Sequence, residues 1–409
     1  MPVGRVFTST YHDTEDRRLT RAGMALRRRV ENGKSTWELE LPESRGEVAL
    51  AAPGGPAEPP ALVADLLRAV LRGRRLSPVA TLQTRRSDDA HEDVELLEGH
   101  RVVERFENGK DPKLPELDPR RVARPKPADG AIAHVQAMLR RQVDEIVAHD
   151  PGTRLGDDPE SLHKFRVAVR RSRAVLRAAR PLLDEQPAEK LRAELRWLGQ
   201  ALGRVRDLDV LLEELREQAR RLPADDAAAV GPVLAALEDD RAAARDALLE
   251  TLASERYLAL LSRLEQAAEA PLASSRKRKL DRIAKSQFGK LERALRELGR
   301  EPDDAALHRI RVLTKRARYT AELAEAAMGK RARRIVKRAR KVQDVLGGHQ
   351  DAVVAEERLR AAARQARGTG AAIAVGRLVE RQEARKARAR DQFPKARRKL
   401  ERAGRKAFA

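Results

Sequence analysis

The residues of this chain arranged to do chemistry are basic. His163, Arg166, Arg170 and Arg173 follow one another at offsets of 0, 3, 7 and 10, the spacing that lines one face of an α-helix. Arginine in such a row suits phosphate, because its planar fork donates two parallel hydrogen bonds and never loses its charge. A histidine adds a donor whose charge follows pH, and a phosphate nearby favours its protonated form. Leu162, Phe165, Val169 and Leu176 form an apolar stripe, each one residue ahead of a basic one. One residue is a rotation of about 100°, so the basic row flanks the core-facing stripe and would lie along a groove between helices. A single basic face can equally be a solvated one. The row recurs, however, as His308, Arg311, Lys315 and Arg318 beside Leu307, Ile310, Thr314 and Ala317. Like charges at this spacing repel by a few tenths of a kcal/mol per pair, a cost that a bound polyanion removes.

The elements that must position these rows are helices, and they read as duplicated. Residues 162–173 are LHKFRVAVRRSR and residues 307–318 are LHRIRVLTKRAR. Further on, Leu202-Gly203-x-x-Arg206-Asp207 is echoed by Leu346-Gly347-x-x-Gln350-Asp351 at nearly the same offset. Two motifs in one order predict an internal duplication with halves of about 131–270 and 271–409. Each half has room for four helices, so two similar bundles packed together are expected. Arg206-Asp207-x-Asp209 reads as a structural ion-pair network. Arg196, beside Arg192, belongs to a mixed second helix in the first half. Its counterpart over residues 330–341, KRARRIVKRARK, is almost wholly basic. Arg196, Lys337, Arg340 and Lys341 therefore join the eight row residues as candidate anion ligands, and Arg276-Lys277-Arg278-Lys279 add to the local field.

Ahead of the helices, residues 5–50 alternate as strands do, Leu62–Leu71 reads as a short helix, and residues 79–106 hold one or two weak strands. Residues 51–60 (AAPGGPAEPP) read as a loop and residues 107–130 as a linker, both from their Pro content. Beyond 130, eight to ten helices are expected, broken at Pro151-Gly152, Pro181, Pro223, Pro271 and Pro302. The boundaries are thus 1–106, 107–130 and 131–409.

Composition limits the possible chemistry. The 409 residues carry 85 Lys+Arg against 63 Asp+Glu, a formal net charge of +22. Residues 1–130 hold net +1, residues 131–270 net −3 and residues 271–409 net +24. A domain-sized positive field implies a polyanionic partner: polyphosphate, nucleic acid or an anionic membrane surface. No cysteine means no thiolate catalysis and fits a reducing cytoplasm. Eleven aromatics leave few platforms for base stacking. No apolar run reaches the roughly 18 residues of a membrane span. There is no P-loop, no GxGxxG and no HxxxH spacing with a carboxylate partner, so no cofactor and no metal are expected.

With these motifs, Leu162-His163-Lys164-x-Arg166-Val167-x-x-Arg170-Arg171-x-Arg173, its copy around His308, and the Leu-Gly-x-x-Arg-Asp-x-Asp turn at 202–209, the region 131–409 resembles the CHAD family, the conserved-histidine α-helical domain. The resemblance implies a mainly α fold, two four-helix bundles in pseudo-twofold arrangement around a basic groove. It also implies binding of inorganic polyphosphate, often at polyphosphate granules, with the two rows as ligands. Gln350 stands where the first copy has Arg206, so this turn is not expected to be a symmetric contact. Residues 1–106 resemble a CYTH domain, the triphosphate tunnel fold, through Tyr11-x-Asp13-Thr14, Leu19, Gly23, Leu26-Arg27-x-Arg29 and Trp37-x-Leu39-x-Leu41-Pro42. That family opens with an ExExK strand whose carboxylates hold Mg²⁺ or Mn²⁺, and this chain starts downstream of it. Glu40 stands where a tunnel lysine is usual, and later acidic strands are hard to find over 88–118. The expectation is an incomplete α+β module without triphosphatase activity, ahead of a non-catalytic polyphosphate binder. The rivals are a metal-dependent triphosphatase and a sequence-nonspecific nucleic-acid binder.

Overall fold

The computed structural model describes residues 5–42, 47–86, 92–99, 101–106, 126, 129–270, 272–274, 278–365 and 369–409. The rest of the expected linker, with Pro271, Arg276 and Lys277, lies outside the described residues. Two compact units divide the chain: Met1–Ala123 with Arg141–Ala168, and Arg124–Arg140 with Val169–Ala409.

The first unit is built on an antiparallel sheet. Its strands are β1 (Arg5–Asp13), β2 (Ala25–Glu31), β3 (Lys34–Glu40), β4 (Val48–Pro53), β5 (Ser77–Arg86), β6 (Glu92–Glu98) and β7 (Arg101–Phe106). They lie in the order β4-β3-β2-β1-β5-β6-β7. Between β1 and β2 comes a single helical turn, α1 (Arg18–Arg21), and α2 (Ala61–Leu71) follows β4. Strand alternation sorts the side chains: Leu26, Trp37 and Leu39 are buried, as are Val63, Leu67 and Val70 on α2, while Arg27, Arg29, Glu38 and Glu40 share the other face. The fully buried Asp13 fixes the β1–α1 corner, accepting from the N–H groups of Thr14, Leu19 and Thr20 and from the Thr20 hydroxyl.

Two expectations are corrected here. The loop expected over 51–60 begins with the last residues of β4, because Leu39 and Leu50 pair across β3–β4. Residues 77–106 form three strands instead of one or two. Leu82 and Val94 pair with Tyr11, Leu96 and Phe106 in a small core that weak periodicity concealed.

Beyond residue 130 the described chain is helical. The elements are α3 (Ala131–Leu155), α4 (Pro159–Ala178), α5 (Glu185–Ala219), α6 (Ala224–Ala253), α7 (Glu255–Glu269), α8 (Leu280–Arg296), α9 (Asp304–Leu323), α10 (Glu325–Met328), α11 (Lys330–Gln365) and α12 (Thr369–Phe408). The break expected at Pro151-Gly152 is absent, because α3 runs through Pro151. The helix stops instead at Gly156, whose φ of +80° allows its N–H to reach the Gly152 carbonyl at 2.9 Å. Gly152 is required by contact: a Cβ there would lie 2.5 Å from the Ser161 hydroxyl. Its place is in the first unit, where the end of α3 meets the start of α4.

In the second unit, Val135, Leu139, Leu176, Leu183 and Ala267 pack a core between α3, α4 and α7. Leu191, Leu195, Leu198, Leu202, Val205 and Leu208 carry a three-and-four spacing along α5, all buried. Farther out, Leu211, Leu215, Val230 and Val233 on α5 and α6 meet Leu359, Val375 and Leu378 on α11 and α12. This second core ties α5 and α6 to α11 and α12. Each histidine motif sits on a helix of 20 residues, α4 or α9.

Candidate polyanion-binding site

The phase of each basic row is set where its helix starts. Asp303 caps α9, accepting from the Ala306 N–H at 2.6 Å. Leu307, Ile310, Thr314 and Ala317 are then buried, and the adjoining Arg311 and Lys315 are half-buried. On α4, Leu162, Phe165, Val169 and Leu176 are buried. His163, Arg166 and Arg173 are half-buried beside them, and Arg170 is exposed. His163 and Arg166 belong to the first compact unit, Arg170 and Arg173 to the second.

Within the second unit, cations gather. Arg173 has its proton affinity lowered, first by burial and then by the charges of Arg196 and Arg192. Arg177, one turn farther on, is lowered by burial, then by Arg316 from α9 and by Arg192, with Glu189 opposing. Five guanidiniums on α4, α5 and α9 therefore share one neighbourhood. Arg192 is held by Glu189. Arg173, Arg177, Arg196 and Arg316 make no ion pair among the described residues. The α4 helix also lies close over α5: a Cβ on Gly199 would come 3.9 Å from an Arg173 terminal nitrogen.

The other candidate residues divide by partner. His308 is exposed, with its Nδ1 2.5 Å from Gln350 Oε1. Gln350 thus takes up the α9 histidine from α11. The turn expected at 202–209 is absent, because that stretch lies inside α5 as Gln350 lies inside α11, and Arg206 has no acceptor with which to copy the role of Gln350. Arg318 is buried, donates to Glu322 at 2.7 Å and stacks on Tyr319 with 4.2 Å to the ring centre. Arg340 reaches the same Glu322 at 3.5 Å. Lys337, Arg340 and Lys341 line a hollow on α11 together with Arg333 and Arg338, with Glu325 and Asp344 as its carboxylates. Asp209 pairs with Arg241 from α6.

Sequence reasoning missed Arg177 and Arg316. Arg177 continues the row at the next helical offset from Arg173 and was readable there. Arg316 lies off the α9 row and becomes part of the cluster only through the packing of α4 near α9.

The CHAD domain family model matches residues 137–360, and the CYTH domain model matches residues 2–98. Over the whole length, the chain is 26% identical to "Uncharacterized protein Rv2226" of Mycobacterium tuberculosis, covering 98% of this chain and 90% of that one. Among solved structures, PptA from Streptomyces chartreusis aligns with a TM-score of 0.54 and 26% identity, over 66% of this chain and 100% of that one. The CHAD domain from the plant Ricinus communis aligns with a TM-score of 0.54 and 28% identity, over 69% of this chain and 95% of that one. Among the described residues, no helix is long and apolar enough to cross a membrane.

Proposed function

This chain belongs to the CHAD domain family, with a CYTH domain ahead of it, and on that premise we propose that it binds inorganic polyphosphate without turning it over. The observation that carries this reading is the cluster of Arg173, Arg177, Arg196 and Arg316, crowded together and outside any ion pair among the described residues. Guanidiniums brought together at the expense of their own proton affinity gain most from a ligand that is itself a dense line of negative charge. Polyphosphate offers that charge at every unit, whereas a single anion would satisfy one or two arginines.

In this reading the α4 face from Arg170 through Arg173 to Arg177 forms one wall. His308, Arg311 and Lys315 on α9 form its counterpart, as a duplicated pair of bundles would place them, and Lys337 and Arg340 extend it on α11. Arg318 serves differently, anchoring α9 through Glu322. Counterion release supplies much of the affinity.

The test is titration of the full chain with long-chain polyphosphate. Arg173→Ala/Arg177→Ala/Arg316→Ala is expected to weaken binding by about 100-fold or more, since each charge-assisted hydrogen bond contributes about 1.5–3 kcal/mol. A triple variant that melts like the parent and still binds as tightly would show that the ligand lies elsewhere.

A further inference from the structure

Beyond the α4–α9 cluster, we infer that the groove between α11 and α12 is a second anion site, one that takes a short run of phosphates. Arg338 and Lys341 on α11 and Lys395 and Lys399 on α12 line it, with Asp391 as its single carboxylate. Val345 and Ala396, both mostly buried, contribute apolar surface between the two sides. The helices run antiparallel, since Lys386 meets Glu356 while Ala396 shares the groove with Val345. Each side therefore presents cations to the other.

The same helix shows how this fold treats a cation needed only for packing. Arg377, Arg385, Lys386 and Arg390 each face a carboxylate, on Asp226, Glu214, Glu356 and Asp304 in turn. Arg338, Lys341, Lys395 and Lys399 form no ion pair among the described residues. Lys395 and Lys399 are four residues apart, about 6 Å along the helix axis, so their charges repel each other as well as those across the groove. A lone carboxylate relieves such crowding at one point. Consecutive phosphates relieve it along the whole groove, and lysine suits them as a compact point charge. The choice of ligand rests on the polyphosphate reading; the location of the groove does not.

Calorimetric titration of the full chain with inorganic tripolyphosphate tests this. The parent is expected to take up two equivalents. Lys395→Ala/Lys399→Ala, which alters two exposed side chains, is expected to take up one, its remaining site within about threefold of the parental affinity because neither lysine lines the hollow of Lys337 and Arg340 or joins the α4–α9 cluster. Arg173→Ala/Arg177→Ala is expected to lose the other equivalent. One equivalent in the parent, or two in the lysine variant, overturns the second site and leaves the α4–α9 reading standing. No binding of tripolyphosphate or long-chain polyphosphate by the parent overturns both.

Discussion

Arg27 decides what the β2–β3 face of the N-terminal sheet can do. Its Nε donates to Glu38 at 2.7 Å, and its Nη1 lies 2.9 Å from Glu40 and donates to the Tyr11 hydroxyl at 3.2 Å. Burial works against its charge, and Tyr11, Glu38 and Glu40 together outweigh burial and raise its pKa above the ordinary arginine value. Arg29, on the same face, is engaged by Glu31 at 2.9 Å and stacks on Phe7. A triphosphate entering this face would have to displace carboxylates from both arginines. The full chain is therefore expected to release no phosphate from tripolyphosphate above the protein-free rate, with Mg²⁺ or Mn²⁺ present. Sustained turnover would restore the enzymatic reading. Glu40 was legible in the sequence because strand alternation fixes which face it occupies. The α4 row was legible for the equivalent helical reason. Arg318 fits the row by spacing alone; Glu322, four residues on, takes it up, and only burial shows that this pairing outweighs exposure to a ligand.

Buried charges hold α9, α11 and α12 together, with a buried histidine among them. Lys386 is mostly buried between Glu356 and Glu383. Asp304, at the start of α9, faces Arg390 and lies 3.3 Å from the buried His349 on α11. Burial lowers the His349 pKa; Asp304 pulls it back up, while Arg390 and Lys386 push it down. The folded state thus disfavours the charged form of His349, whereas an unfolded histidine takes up a proton near pH 6.5. The stabilisation is complete above about pH 6.5 and is lost as pH falls below it, since the unfolded chain then binds the extra proton. His349→Gln should flatten the fall in melting temperature between pH 7.5 and 5.5, measured against the parent because His12 in the sheet is shifted the same way. Equal slopes in the two proteins would remove His349 from the account. None of this network was readable beforehand, because its members come from three helices and meet only by packing. Helix identity was readable from Leu spacing. The continuation of α3 through Pro151 was not, since Pro followed by Gly reads locally as a helix stop.

At the scale of the whole chain, the proposed function assigns attraction and contact to different populations of charge. Net +24 sits in residues 271–409, much of it on exposed residues of α11 and α12. Such a field raises the local concentration of any polyanion and is screened by salt within about 10 Å at 0.1 M. On the proposed function, the crowded arginines of α4, α5 and α9 act at contact distance, where each engaged phosphate would release its own counterions. These contributions separate in a salt series. The logarithm of the affinity for long-chain polyphosphate should fall linearly with the logarithm of salt concentration, and each cation removed from contact should lower the slope by about one. Arg173→Ala/Arg177→Ala/Arg316→Ala is thus expected to lose about three units of slope as well as affinity. Neutralising three exposed cations outside either groove, such as Arg282, Arg293 and Arg296 on α8, should weaken binding at low salt and leave the slope nearly unchanged. If the arginine variant kept the parental slope while binding more weakly, those residues would be supporting the fold rather than touching phosphate. The contact assignment would then pass to other residues of the rows.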